Sequence, residues 1–465
     1  MIDTEKIRVR ILSLAFSGAL IDSHSKEKRN DTLEDIHRAE KSYDPVTERE
    51  YLSDVPKHWN WSRLGYLTNN HGQTVPQKDF CYIDVGTLDN IHHRLPTKEN
   101  LIAANEAPSR ARKLVEYGDV LYSTVRPYLH NICIVDKEFS RTPFASTAFC
   151  VMQTNETVLN NKFLFYWLLT AEFDLYSNGD PSKGALYPAI GEKDLLRGPI
   201  PIPSIEEQKL IVEKIEIVFS LLDTIDTLQN QYYDNLAVLK SKLIDAGIQG
   251  KLTEQLPEDG AAEELYQQIQ KSNKVDKKTE SIIITNDLPE IPDTWKWVYL
   301  GAISTILGGK RIPAGRKLTT ENTGHKYIRI SDMKNLSVDT DNLLYVPDDI
   351  YPTISRYIIR KEDVYITVAG TIGRVGKIPE SIDGANLTEN ADRIVFSLLN
   401  QDWLIYCLSS SFVQKQIEYL TTQVAQPKLA IKRIQDFIIP LPPLAEQKRI
   451  VARLEEFLPL CERLK

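Results

Sequence analysis

Between residues 205 and 247 the apolar positions advance in alternating steps of four and three: Ile211, Ile215, Val218, Leu222, Ile225, Tyr232, Leu236, Leu239 and Leu243, with Gln229 the one polar member. That heptad rhythm predicts one long helix carrying a coiled-coil seam. Ser204 with Glu207 three residues on forms a capping box, and Pro203 bars an earlier start. Gly247 and Gly250 supply the expected stop. About forty residues at 1.5 Å each make a rod of roughly 60 Å, longer than one core requires. The seam returns behind Pro443 as Ile450, Leu454, Phe457, Cys461 and Leu464, with the proline placed for a first helical turn. A generic dimerisation helix would carry the same pattern, so the seam by itself fixes no function.

The pattern recurs because the chain is written twice. Pro201-Ile202-Pro203-Ser204-Ile205-Glu206-Glu207-Gln208-Lys209 returns as Pro440-Leu441-Pro442-Pro443-Leu444-Ala445-Glu446-Gln447-Lys448, displaced by 440 − 201 = 239 residues. Trp59-Asn60-Trp61 with Leu64-Gly65 returns as Trp295-Lys296-Trp297 with Leu300-Gly301, displaced by 295 − 59 = 236. A third echo runs the other way: Gly250-Lys251-Leu252 resembles Gly18-Ala19-Leu20, displaced by 250 − 18 = 232. Ile7, Ile11 and Leu14 then map onto Leu239, Leu243 and Ala246, so the N-terminal segment is expected to complete the helix that the C-terminus leaves short. The resulting picture is a pseudo-twofold, circularly permuted repeat with its termini close together. Two globular blocks of mixed α/β class would be joined by two long antiparallel coiled-coil helices, an arrangement suited to a nearly twofold partner such as duplex DNA.

The segments follow. Residues 1–20 form the N-terminal helix, 21–54 a charged connector, 55–203 the first block and 204–250 the central helix. Residues 251–290 form an exposed polar linker, 291–442 the second block and 443–465 the distal helix. Within the blocks, short β-rich runs (118–122, 327–330, 363–366) precede helical stretches (163–169, 403–408). Trp59, Trp61, Trp295 and Trp297 read as core or interface anchors and not as base-stacking residues, and Asp119 and Asp363 as turn formers.

Composition narrows the classes. With 465 residues the chain exceeds a single core. It has no apolar run long enough to span a bilayer, and its Met-Ile-Asp-Thr-Glu-Lys start is not a secretory leader. Five scattered cysteines read as reduced thiols of a cytoplasmic protein, not a disulfide frame. The formal net charge of −8 weighs against strong DNA binding by the chain alone, unless charge is unevenly spread or partners supply contacts.

Catalytic signatures are missing where they would be easy to see. Gly308-Gly309-Lys310 lacks the spacing of a phosphate-binding loop, no glycine-rich turn suits an adenosyl cofactor, and Ser23 with Lys26 is a chance Ser-x-x-Lys match. The eight histidines form no metal-ligand set, and His92-His93 point to opposite faces if extended. The reading is a non-catalytic chain. Basic residues do fall in equivalent loops of the two blocks: Arg110, Arg112, Arg126, His130 and Lys183 in the first, with the aromatic Tyr128 among them, and Lys310, Arg311, Arg316, Lys317, Arg374 and Lys428 in the second. Each alone is an ordinary surface charge. As a set in duplicated loops they are candidates for phosphate and base-edge contacts. The seam residues Ile211, Ile215, Leu222, Ile225, Leu236, Leu239, Leu243, Ile450, Leu454 and Phe457 are candidates for helix pairing and subunit docking.

The Pro-x-Pro-x-x-Glu-Gln phrases, together with Gly118-Asp119-Val120-Leu121 and Gly250-Lys251-Leu252-Thr253, resemble the conserved regions of type I restriction–modification specificity subunits. The resemblance covers essentially the whole chain, in the family's order. It implies two target recognition domains, each reading half of a bipartite, asymmetric double-stranded DNA sequence. The paired helices would set the unread spacer and dock two methylation subunits. Those partners would carry S-adenosylmethionine and the adenine-N6 chemistry, and restriction (motor) subunits would use ATP and Mg; no cofactor is expected on this chain. One departure stands out: many relatives begin close to the Trp phrase and end with a complete second helix. The alternative is a standalone bivalent DNA-binding regulator, which would need tight DNA affinity without partners.

Overall fold

A computed structural model describes residues 1–21, 43–178, 189–272, 288–421 and 428–463. The chain divides into two compact units, 1–230 and 231–465, and the division falls inside the helix Ile205–Ile248. This helix has 44 residues, about 66 Å at 1.5 Å per residue. Ser204 caps it by accepting from the Glu207 amide at 3.2 Å.

In the first unit the helix Thr4–Phe16 runs antiparallel to the near half of the long helix. Thr4 Oγ1 donates to Asp226 at 2.6 Å, and Arg8 bridges Asp223 and Asp226 at 2.8 and 2.9 Å. Further along, Leu12, Ala15 and Phe16 enter the core beside Ile211, Val212 and Ile215, where the Phe16 ring meets Phe163 and Trp167. The strand Asn60–Arg63 pairs antiparallel with Pro199–Ile202, so the Trp phrase and the Pro-x-Pro phrase are the two sides of one ladder. Between them lie two four-stranded sheets. One runs Thr68–Asn69, Phe149–Thr154, Val120–Ser123, Ile132–Ile134 and is antiparallel throughout; the other runs Leu101–Ile102, Phe80–Ile83, Pro143–Ser146, Ala111–Leu114 with a parallel central pair. Helices Asn161–Leu168 and Ala171–Asn178 close the core.

The second unit repeats this order. Lys296–Tyr299 pairs with Ile438–Leu441. One sheet runs Ser304–Gly308, Ala391–Phe396, Val364–Thr367, Val375–Gly376; the other runs Leu344–Tyr345, Lys326–Ile328, Asn386–Leu387, again with a parallel central pair. Helices Gln401–Ser409 and Ser411–Thr421 take the places of the first unit's pair. The C-terminal helix Leu444–Arg463 runs antiparallel to the far half of the long helix, with Lys240 bonded to Glu462 at 2.9 Å and Gly247 against Ile450 and Leu454.

The duplicated phrases have duplicated jobs. Trp59 Nε1 donates to Glu207 at 3.3 Å and Trp295 Nε1 to Glu446 at 2.7 Å, so each first tryptophan is tied to the start of its helix. Next in sequence, the fully buried Gln208 and Gln447 accept from the amides of Asn160 and Asn400 and donate to Pro203 and Pro442 carbonyls. Asn160 and Asn400 in turn cap the following helices. Gly18 and Gly250 lie at φ +74° and +73°, and a Cβ on either would sit 2.3 or 2.5 Å from the ring of Pro56 or Pro292. Glycine is required there twice over, by the left-handed turn and by the proline packed on it. Asp119 and Asp363 act as turn formers, accepting from the amides of Glu116 and Arg360 at 2.7 and 2.9 Å.

Three expectations are corrected. Gly247 is not itself the stop: the helix runs on to Ile248 and turns at Gly250, and Gly247 is a buried position in the last turn whose Cβ would press on Ile450 at 3.2 Å, a close-approach point between the paired helices. The seam is buried at Ile211, Ile215, Leu222, Leu236, Ile450 and Leu454 and partly buried at Ile225, Leu243 and Phe457, but Tyr232 and Leu239 are exposed. Among the described residues the C-terminal helix runs to Arg463, with Glu462 paired to Lys240, the residue after Leu239. Leu464 falls outside the described residues. The linker 251–290 is not simply exposed: Ala262–Ser272 is a helix whose Ala262, Leu265 and Ile269 join the second core, at a period of three and four in an otherwise polar stretch. At the end of the connector 21–54, Glu50 pairs with the buried Arg63 at 2.8 Å.

Candidate nucleic-acid interface

Two turns organise the basic candidates. In the first unit the turn after the strand Pro143–Ser146 holds two loops together: Thr147 N donates to Arg110 O at 2.8 Å, and Ala148 O accepts from both Thr124 N and Thr124 Oγ1. Arg110 and the loop leading through Arg126 therefore meet at one edge. That loop is a short turn, Pro127–Leu129, bracketed by Arg126 and His130 at φ +50° and +49°. Arg126 and Tyr128 are exposed, and Val125 and Leu129 beside them present apolar surface. His130 is held instead: its Nε2 lies 2.6 Å from Asp174, whose carboxylate raises the imidazole's pKa. Arg112 stands apart, on the edge strand Ala111–Leu114, with its guanidinium on the carbonyl of Ala111. Lys183 lies outside the described residues. Its loop returns at Ala189, which bridges to Val125, and Ile190 N donates to Thr124 O.

The second unit reproduces these bonds with other residues. Val368 N donates to Asn390 O, and Leu429 N to Val368 O, the counterparts of Thr124 with Ala148 and of Ile190 with Thr124. Lys310 N donates to Leu387 O and Arg311 pairs with Glu389, so both sit on the turn that Val368 also contacts. Arg374 closes the end of the strand Val364–Thr367, its amide donating to Thr367 Oγ1 at 2.9 Å. Lys428, next to Leu429, faces Asp392, whose carboxyl is pushed up to about 6 by burial and drawn back down by that lysine. Lys310, Arg311, Arg374 and Lys428 thus gather at one strand end. Arg316 and Lys317 do not, since Arg316 pairs with Asp349 and the adjacent chain bridges from Thr319 to Tyr345 on the other sheet.

The acids paired with these cations went unread in the sequence, because nothing in Asp174, Glu389 or Asp349 marks them out before folding. The pairs of Arg311 and Arg316, unlike the part-buried His130–Asp174 pair, are solvent-screened and contribute little to stability. The described residues contain no group of three His, Cys, Asp or Glu side chains able to hold a metal ion. No helix among them is long and apolar enough to cross a membrane. All five cysteines are free and buried.

The model of the type I restriction modification DNA specificity domain matches residues 56–231 and again 292–464. The chain belongs to this family. Both specificity-domain matches open at the prolines, Pro56 and Pro292, that pack on the left-handed glycines. Among curated relatives, the EcoBI specificity subunit of Escherichia coli is 24% identical over 66% of this chain and 60% of its own length, so that alignment leaves much of the relative unmatched. The EcoAI specificity subunit of the same organism is 21% identical across 99% of this chain and 90% of its own. The fold is shared with a solved chain from a study of complex assembly and conformational transition of the type I R-M system. It has 24% identity and a TM-score of 0.63, covering 89% of this chain and 93% of that one.

Proposed function

We propose that this specificity-domain chain reads DNA sequence for a type I restriction–modification complex, each unit recognising one half of a bipartite, asymmetric target. The observation that carries the reading is the repetition itself. Two diverged sequences build one topology, and each brings basic side chains to the same turn beside the same strand end. A frame held constant while its loops vary is what reading two different half-sites requires.

The same reading assigns the paired helices a spacer role and makes them the docking surface for two methylation subunits. Leu210, Ile217, Leu221 and Leu228 on the long helix are between 43% and 60% exposed and follow steps of seven, four and seven, an apolar stripe on one face. Partners seated there would supply the adenine-N6 methylation with S-adenosylmethionine, and ATP-dependent restriction subunits would complete the assembly. DNA enclosed by several chains also accommodates the net charge of −8, since this chain need contribute only the base-reading edges. A standalone regulator fits the family match less well.

Genome-wide mapping of N6-methyladenine tests this, comparing cells that express the chain with a matching methylation subunit against cells with that subunit alone. The expected result is a new bipartite motif with a fixed gap, present only with this chain. Assembly of the complex without any new motif would overturn the reading.

A further inference from the structure

Each unit carries a hairpin at the same point of its topology. In the first it follows the strand Phe80–Ile83 and the turn Val85–Thr87; in the second, the strand Lys326–Ile328 and the turn Ile330–Asp332. Both precede an edge strand, Leu101–Ile102 or Leu344–Tyr345. Each hairpin holds an aliphatic side chain out at its tip: Ile91 is 80% exposed and Leu336 is 38% exposed.

These tips are ordered, not frayed. Asp89 and Arg94 exchange both backbone hydrogen bonds at 3.1 Å, and the Asp89 carboxylate accepts from the amides of Ile91 and His92, also at 3.1 Å. The two histidines expected on opposite faces of a strand instead form this turn, with His93 at φ +54°. In the second unit Met333 pairs with Val338 and Lys334 with Ser337, leaving Asn335 and Leu336 at φ +51° and +57°. A two-residue turn with both central residues left-handed favours Asn followed by Gly. Leucine in the glycine position is strained by its own Cβ, so the tip keeps an exposed aliphatic group where a freely available residue would relieve the backbone.

The first hairpin rests on the loop that carries the exposed arginine, and the second on the arginine itself and on the chain just past the strand Val375–Gly376. Asn90 Nδ2 donates to Leu129 O at 2.9 Å, within the Arg126 loop. Lys377 N donates to Leu336 O at 3.0 Å, and Arg374 reaches Met333 O at 3.4 Å. A solitary exposed aliphatic residue is unremarked on most surfaces. Here it recurs in equivalent hairpins, each beside a candidate arginine, in two units whose loop sequences differ.

We propose that Ile91 and Leu336 are base-reading residues, each packing on the C5-methyl of a thymine in the major groove, next to the base engaged by Arg126 or Arg374. A two-stranded ribbon such as Met333–Lys334 with Ser337–Val338 fits the major groove, about 12 Å wide, and not the minor groove of about 6 Å, and the first unit presents Ile91 on a turn closed by the single bridge Asp89–Arg94; only the major groove displays the thymine methyl. This inference rests on the DNA-reading function proposed above.

The test uses the complex with its methylation subunit and duplexes bearing the mapped motif, in which each thymine is replaced in turn by deoxyuridine. The intact complex should lose about fourfold in affinity at one thymine in each half-site, the effect of one buried methyl group. Ile91→Ala should abolish that loss in one half only. Leu336→Gly should abolish it in the other half only, with a melting temperature no lower than that of the parent because glycine relieves the turn. Indifference of the intact complex to every uracil, or retention of both losses by both variants, would overturn the proposal while leaving the mapped motif standing. Uniform weakening on all duplexes by either variant would also overturn it, in favour of a sequence-independent wedge. Absence of any mapped motif would remove the underlying function and this inference together.

Discussion

Gln208 and Gln447 show what the repeated Glu-Gln pair is for. Each is fully buried, accepts from the amide of the asparagine that caps an upstream helix and donates to the carbonyl of its own proline phrase; Gln208 donates to Val158 O as well. Truncation leaves those groups buried without partners, at roughly 1–3 kcal/mol each. Gln447→Ala should therefore destabilise the second unit by about 2–6 kcal/mol in denaturant unfolding, and Gln208→Ala, which frees three groups, the first by at least as much. A loss near zero for either would remove this account. The phrase was legible as a repeat, and Ser204 as a cap. Its buried hydrogen bonds were not, because Asn160 lies 208 − 160 = 48 residues away and no local pattern encodes the pairing.

Among the elements, the N-terminal helix has the clearest consequence. Leu12 and Ala15 are in the first core, and Arg8 holds Asp223 and Asp226 of the long helix. Deleting residues 1–15 should lower the stability of the first unit by roughly 3 kcal/mol or more, from lost apolar burial alone. It should also weaken docking of methylation subunits. Thermal melting and co-purification of the truncated chain test this together; an unchanged melt with undiminished complex formation would sink it. The element's existence and direction were readable from the echo of Gly250-Lys251-Leu252 in Gly18-Ala19-Leu20. The helix Ala262–Ser272 was not, since its few apolar residues make an amphipathic face only once a core is present to receive them.

For the molecule as a whole, duplication predicts modularity. Exchanging residues 55–203 for the equivalent block of a relative should change one half of the methylated motif and leave the other half and the gap intact. Methylome mapping of the chimera would show it, and a change in both halves would contradict independent reading by the two units. The chain's large-scale plan was determined by sequence alone, because heptad spacing, capping residues and left-handed glycines are local constraints that act wherever they occur. Tertiary structure alone decided which basic residues share a turn, which acids neutralise them and which aliphatic side chains remain outside. Arg316 and Arg374 look alike in the sequence, yet one pairs with Asp349 in the turn beyond the strand Leu344–Tyr345 and the other supports the Leu336 hairpin. That difference arises from contacts between segments far apart in the chain, where the outcome depends on packing and desolvation and not on the identity of neighbours.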